Sequence, residues 1–277
     1  MLFDEWDKRE GRKQVPTRHV LEVWGDYACF TQPVMKVERF SYPIMTPSAA
    51  RGILEAIYWK PKFHWQVLQI DMLTEPRYVA LMRNEVKEKA PSADTILRWM
   101  NGQEQVAPIM ADATKDESGS DQKGRTQRQT MALKDVRYRI HAEIRPFPAH
   151  RHEITALDAQ FARRAARGQC IYQPCLGCRE FPAFFRPAVE GAQSAVPLNM
   201  HIGWMLYDVF DLGHMQNRTV AGSSRPALPV DREERLAGVA GGVSISLFNA
   251  EVKAGTMQVP EYDSPAVKKT GGGQENA

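Results

Sequence analysis

Tyr58, Trp59 and Lys60 stand side by side in this 277-residue chain. A phenol, an indole and an ammonium group suit an RNA ligand, with rings to stack on bases and a cation for phosphate. They suit ordinary packing at a helix end equally well. Cys175-Leu-Gly-Cys178 is a C-x-x-C that can donate half of a zinc site, yet no second C-x-x-C exists to complete it. A third feature is a concentration of charge. Lys123 to Arg186 carries thirteen bases, eleven of them arginine, against five acids, in a chain whose formal net charge is only +3. The planar arginine fork suits phosphate, so this middle third reads as a polyanion surface, with a solvated basic face as the bland alternative.

The elements that must position these groups follow from pattern. Thr46 offers an N-cap oxygen, Pro47 sits where its missing N–H costs nothing, and Ala50, Ile53, Leu54 and Ile57 fall at helical spacing. The spacing predicts one short amphipathic helix that stops at Trp59-Lys60-Pro61, because proline pushes Lys60 out of the α region. His19 to Phe30 alternates as a strand. Phe63 to Leu73 alternates with one phase slip, a strand with a bulge, and Arg77 to Val86 is a third strand. Strand, helix, strand, strand opens a ferredoxin-like βαββαβ unit.

The pattern dissolves from Lys87 to Thr130, apart from a short helix over Ser92 to Met100, so a mobile insertion is expected near 101–130. Val136 to Ile144 then alternates strictly, with Arg137, Arg139, His141 and Glu143 on the wet face. Glu143 is the expected ion-pair partner of Arg137 or Arg139, and His141 is placed for catalysis or for contact with RNA or a partner subunit. A loop from Arg145 to Ile154 leads to a helix over Thr155 to Arg167 that ends at Gly168, and a last strand lies within Gln169 to Arg186. The fold class is therefore α+β. A ferredoxin-like, RNA-recognition-motif type domain spans 18–187, a small antiparallel β domain spans 198–262, and a disordered tail covers 263–277.

At 277 residues and 43% apolar composition the chain can bury a real core. No run of eighteen apolar residues exists to span a bilayer, and charges occupy the place of a signal peptide's apolar core, so a cytoplasmic protein with no membrane partner is expected. Four unevenly placed cysteines read as reduced thiols.

Three segments together resemble one family: Val23-Trp-Gly-Asp-Tyr-Ala-Cys-Phe-Thr31, Tyr42 to Pro61 with its Ile-Tyr-Trp-Lys-Pro ending, and Gln173-Pro-Cys-Leu-Gly-Cys-Arg-Glu-Phe-Pro182. They are similar to the CRISPR-associated Cas proteins of the fifth family, in the subtype I-C variant. The resemblance implies the RAMP form of the ferredoxin-like fold. It also implies a metal-independent endoribonuclease that cuts the repeat of precursor crRNA, in antiviral defence, and stays on the 5′ handle as a Cascade subunit. Its partners would be crRNA and its precursor, the backbone and large subunits, and target DNA indirectly through the complex; no cofactor is implied. The alternative is a structural, non-catalytic subunit that caps the handle and docks the large subunit.

The family's catalytic tyrosine carries over as Tyr58. Its lysine–histidine pair lies just before the second helix. Counting back from Gly168 without gaps lands on Ala156 and Leu157, whereas a gap in the loop brings Arg151-His152 into register, with His150 as a second candidate. Metal-free cleavage needs the substrate 2′-OH as nucleophile, a base, an acid for the departing 5′ oxygen, and positive charge on the phosphate. An imidazole can be base or acid. Arg151 stays protonated and can stabilise the phosphorane, while Tyr58 can orient the 2′-OH or act as acid. Lys36, Arg39, Lys60, Arg137, Arg139 and Arg179 are the candidates for RNA binding.

Overall fold

The computed structural model describes residues 16–35, 37–106, 108–109, 124–189, 191, 193–210, 212 and 245–269. Half of the expected mobile insertion and the last eight residues of the expected tail lie outside the described residues, as does Lys36.

Strand β1 (His19–Ala28) sends Leu21 and Val23 into the core, and β2 (Arg39–Phe40) follows a turn. Helix α1 (Pro47–Ile57) starts as its sequence dictates: the Thr46 hydroxyl accepts from the Ala49 N–H at 3.3 Å, and Pro47 occupies the first turn. It buries Ala50, Ile53, Leu54 and Ile57, and ends at Ile57 rather than at Trp59-Lys60-Pro61. The earlier stop has a local cause. Tyr58 is already extended, and its carbonyl accepts from the Trp65 indole N–H at 3.1 Å, so it is not available to another helical turn.

Strand β3 (Phe63–Met72) carries the expected bulge, a register shift against its neighbour between Val67 and Gln69. Strand β4 (Tyr78–Val86) and the short helix α2 (Ala93–Met100) precede β5 (Arg125–Pro146), a strand of 22 residues. That length corrects two expectations. The strand begins at Arg125, not Val136, and 125–130 belong to it rather than to a mobile insertion, because Arg125 to Thr130 pair in register with Val86 to Leu81 of β4.

The loop expected over Arg145 to Ile154 contains a 3₁₀ turn, Pro148–Glu153, which runs into helix α3 (Ile154–Ala166). Then come β6 (Phe184–Pro187), β7 (Met200–Asp208), β8 (Ser246–Lys253), β9 (Thr256–Gln258) and β10 (Val267–Lys269). The last corrects the start of the expected disordered tail: Val267 to Lys269 pair with Phe248 to Ser246, and the Lys269 ammonium sits 3.9 Å from the Tyr262 ring centroid.

The strands form one sheet in the order β10-β8-β9-β3-β5-β1-β6, with β2 and β4 paired to β5 and β7 paired to β8. All pairings are antiparallel except β2 with β5, so the fold is α+β, mostly antiparallel sheet with three helices. The C-terminal strands join the earlier ones edge to edge through β9 and β3, where Gln258 meets Gln69, instead of packing beside them as a separate layer. Helices α1 and α3 cover one face of the sheet, where Phe161 meets Trp65 edge-on at 4.6 Å among Leu21, Val23, Ile140 and Ile144. Strand alternation sends Glu22, Trp24, Asp71, Arg137, Arg139 and His141 to the other face. Among the described residues no helix is long and apolar enough to cross a membrane.

Candidate active site

Tyr58 follows α1 directly, and its ring packs on Phe63 with centroids 5.4 Å apart, leaving the residue only 5% exposed. Both readings of the Tyr-Trp pair thus meet in one side chain: the ring is core, while the hydroxyl lies in the field of Glu153 and Arg164. Burial first, and the Glu153 carboxylate second, push the phenol above its ordinary pKa, outweighing the opposing pull of Arg164. At neutral pH Tyr58 is therefore a proton donor. Arg164 is fixed by its Nε–H, which donates to the Ile57 carbonyl at 2.6 Å and ties α3 to the end of α1.

Glu153 is the hub beside it. Its Oε1 faces His150 Nδ1 at 2.9 Å, and its two oxygens accept from the Lys62 ammonium at 2.9 and 2.7 Å. The hydrogen bond from Lys62, then that from His150, holds the Glu153 carboxyl below the usual carboxylate range. An ionised carboxylate only accepts, so Nδ1 of His150 must carry the proton, which leaves Nε2 of the neutral ring as a free base. Lys62 keeps a third N–H for another anion. The fold builds this clamp by pairing distant segments. Phe63 pairs with Pro146, and the Phe147 N–H donates to the Lys62 carbonyl at 2.9 Å, so the residue before β3 lies against the turn after β5. A 3₁₀ turn eclipses side chains three apart, which puts His150 over Glu153.

The three candidates in 150–152 thus separate. His150 joins the clamp; His152 is exposed and makes no hydrogen bond to a described residue; Arg151 is half-buried, and burial lowers its pKa from the ordinary guanidinium value. Lys62 and Glu153 were missed by the sequence reading. Their signals were the i, i+3 spacing of His150 and Glu153, invisible while 145–154 read as loop, and the second lysine of Lys60-Pro-Lys62.

The expected RNA-binding residues are also dispersed. Lys60 and Arg179 are exposed. Arg139 is spent internally, donating to the Gln193 carbonyl at 2.7 Å and lying 3.7 Å from Asp71. Arg137 pairs with Glu22 of β1, and Glu143 pairs with Arg145 at 3.0 Å, which corrects the expected pairing of Glu143 with Arg137 or Arg139. The cause is proximity: Glu22 from the adjoining strand reaches Arg137 first, and Glu143 is left to Arg145 on its own strand. His141 is held by Asp71 at 2.8 Å, in a network with Gln69 and Thr256 that joins β3, β5 and β9.

Arg39 belongs to a thiol cluster. Its Nη1 donates to Glu180 Oε1 at 2.5 Å and to Cys178 Sγ at 3.6 Å, while Thr31 Oγ1 lies 3.5 Å from Cys29 Sγ and 3.9 Å from Cys178 Sγ. Among the described residues no group of three or more His, Cys, Asp or Glu is placed to hold a metal ion. A hydrogen bond from the buried Cys29 thiol, aided by Arg39, draws the Cys178 pKa down to about 6. Iodoacetamide should therefore label Cys178 readily at pH 7, with the rate falling as pH drops through about 6. Cys29→Ala should move that profile up toward the free-thiol value of about 8.5. Mass spectrometry of the labelled peptide reads both, and an unchanged profile in the variant would remove Cys29 as the cause.

A family model described as CRISPR-associated protein (Cas_Cas5) matches residues 20–260. A CRISPR pre-crRNA endoribonuclease Cas5d of Mannheimia succiniciproducens is 35% identical over 257 residues, covering 90% of this chain and 97% of that protein. A protein of the same description from Thermus thermophilus is 36% identical over 241 residues, covering 87% and 90%. The crystal structure of a CRISPR-associated protein shares the fold with a TM-score of 0.55 at 16% identity, over 91% of this chain and 96% of that one. With a family model spanning most of its length and two full-length relatives above 30% identity, the chain belongs to the Cas5 family of CRISPR-associated proteins.

Proposed function

We propose that this protein is a metal-independent endoribonuclease of a subtype I-C system, which cuts the repeat of precursor crRNA through its own 2′-OH and remains on the 5′ handle as a Cascade subunit. The observation that carries this is the Lys62–Glu153–His150 clamp beside Tyr58. Two relatives named as pre-crRNA endoribonucleases support the substrate class. His150 Nε2 takes the 2′-OH proton, and the oxygen attacks the adjacent phosphate. Lys62 and Arg151 stabilise the charge that develops on the phosphorane, and Tyr58 protonates the leaving 5′ oxygen. The products are a 2′,3′-cyclic phosphate and a 5′-OH.

The ferredoxin-like, RAMP reading is supported by the order β6-β1-β5-β3 with α1 and α3 sharing one face. We keep 18–187 as its extent and the cytoplasm as the location, and carry the small β domain on from 198–262 to Lys269, because β10 pairs with β8. The structural, handle-capping alternative draws on His152, which lies in the expected register yet is exposed and makes no hydrogen bond to a described residue.

Incubating the protein with its own repeat RNA in EDTA, beside a repeat with one 2′-deoxy residue at the cut site, separates the two. Cleavage that survives EDTA and stops at the deoxy residue is expected. Tight binding with no cleavage would establish the capping role instead, and cleavage of the deoxy repeat would remove the 2′-OH mechanism.

A further inference from the structure

On the sheet face away from the helices, three adjacent strands bring one row of side chains into register. Arg137 of β5 is opposite Trp24 of β1, and Trp24 is opposite Phe184 of β6. The Trp24 and Phe184 rings are stacked, 28° apart in plane with centroids 6.2 Å apart. The guanidinium carbons of Arg137 and Arg186 lie 5.5 and 5.6 Å from the Trp24 centroid. Between them the buried Glu22 carboxylate binds Arg137 and accepts from Arg186 Nη2 at 3.1 and 3.3 Å.

Packing does not account for this arrangement. Leu21 and Val23 fill the core side of β1, while Phe184 is 51% exposed. Glu22 occupies only some of the ten N–H donors of the two guanidiniums. The group therefore offers a bare aromatic face beside cations whose planes are already set, so little side-chain entropy remains to be lost on binding. A base stacked on a ring with its phosphate on a neighbouring guanidinium is the ligand that matches both features. A protein partner would favour a broader apolar patch than one phenyl ring.

We propose that Phe184, backed by Trp24 and flanked by Arg137 and Arg186, is a stacking site for one unpaired nucleobase of the bound RNA. This rests on the RNA-processing reading but not on the catalytic assignment.

Binding of the uncleavable 2′-deoxy repeat, followed by fluorescence anisotropy, tests it. Phe184→Ala should weaken affinity about tenfold, while Phe184→Tyr stays within about twofold of the parent. Single abasic substitutions along the repeat should reveal one nucleotide whose loss weakens the parent about as much and the Phe184→Ala variant no further. Unaltered thermal melting of both variants is expected, since the side chain is half outside. Equal affinity of the alanine variant and parent, or additive losses at every abasic position, would overturn the site and leave the exposed ring to a protein contact. Cleavage of unmodified repeat is scored separately. A protein that cuts RNA but ignores Phe184→Ala loses only this site, and one that depends on Phe184 but does not cut loses only its catalytic role.

Discussion

Alanine at position 150 is expected to slow repeat cleavage by about a hundred- to a thousandfold under single-turnover conditions, with little change in affinity for the uncleavable repeat. The expectation follows from the proton at Nδ1. Glu153, ionised and engaged by Lys62, can only accept, so the imidazole presents a basic Nε2 to the substrate. Glu153→Gln should cost about ten- to a hundredfold, because the amide no longer selects that tautomer; Glu153 is thus a positioning residue. Tyr58→Phe keeps the ring on Phe63 and removes only the acid, and should cost about a hundredfold. An acid must be protonated to act, and Tyr58 titrates above its ordinary value of about 10, so the parent should keep its rate up to about pH 10 as far as this group is concerned. His152→Ala should stay near the parent rate. Normal cleavage by His150→Ala together with loss in His152→Ala would transfer the base to residue 152 and dismantle the clamp mechanism.

Why the clamp was only half legible in the sequence is a matter of range. Helix α1 could be read because its cap, first proline and apolar stripe all lie within twelve residues, and each acts locally. Alternation reports one face per strand, so β1, β3 and β4 could be read but not their partners: β4 pairs only with the first part of β5, and it is β5, not the strand over Arg77 to Val86, that lies between β1 and β3. The first part of β5 is not legible because Arg125 to Thr130 contains no apolar residue; it is a strand only by pairing with β4, and pairing is not written in one strand's composition. In the same way Tyr58 could be named from its motif. Lys62 could not, since its role depends on the pairing of Phe63 with Pro146, 83 positions away in the chain.

The basic middle third gives the complementary lesson. Its excess of arginine is real, but Arg139, Arg145 and Arg164 spend themselves on Asp71, Glu143 and a helix-end carbonyl. Counting charge along the chain cannot separate guanidiniums that face an anion from those that tie strands together. Trp24 is hidden in the sequence for the same reason: an isolated aromatic in an alternating strand looks like core until the neighbouring strands place Phe184 and two arginines around it.

The largest stability effect should come from Asp208, which is remote from the clamp in sequence. Arg51 of α1 donates to Asp208 through Nε at 2.7 Å and Nη2 at 3.1 Å, and to Glu55 through Nη1 at 2.6 Å, with the Arg51 and Asp208 side chains 8% and 2% exposed. Burial alone would strip charge from the guanidinium; the Asp208 and Glu55 carboxylates outweigh it and raise its pKa. Asp208→Ala leaves a buried cation with one partner of two, and also frees the Val209 and Phe210 N–H groups that Asp208 accepts at 2.7 and 3.0 Å. A loss of about 3–5 kcal/mol is expected in urea unfolding. Arg51→Met in the same background should restore part of it, because the methionine needs no counter-ion while the two N–H groups stay unpaired. A loss under about 1 kcal/mol would mean that water reaches Arg51 and that the pair is worth no more than a surface one. Since Arg51 sits on α1 two turns before Tyr58, which follows the helix directly, the destabilised protein should also cleave more slowly as temperature rises, well before global unfolding, if the bond from α1 to β7 is what holds the phenol in place.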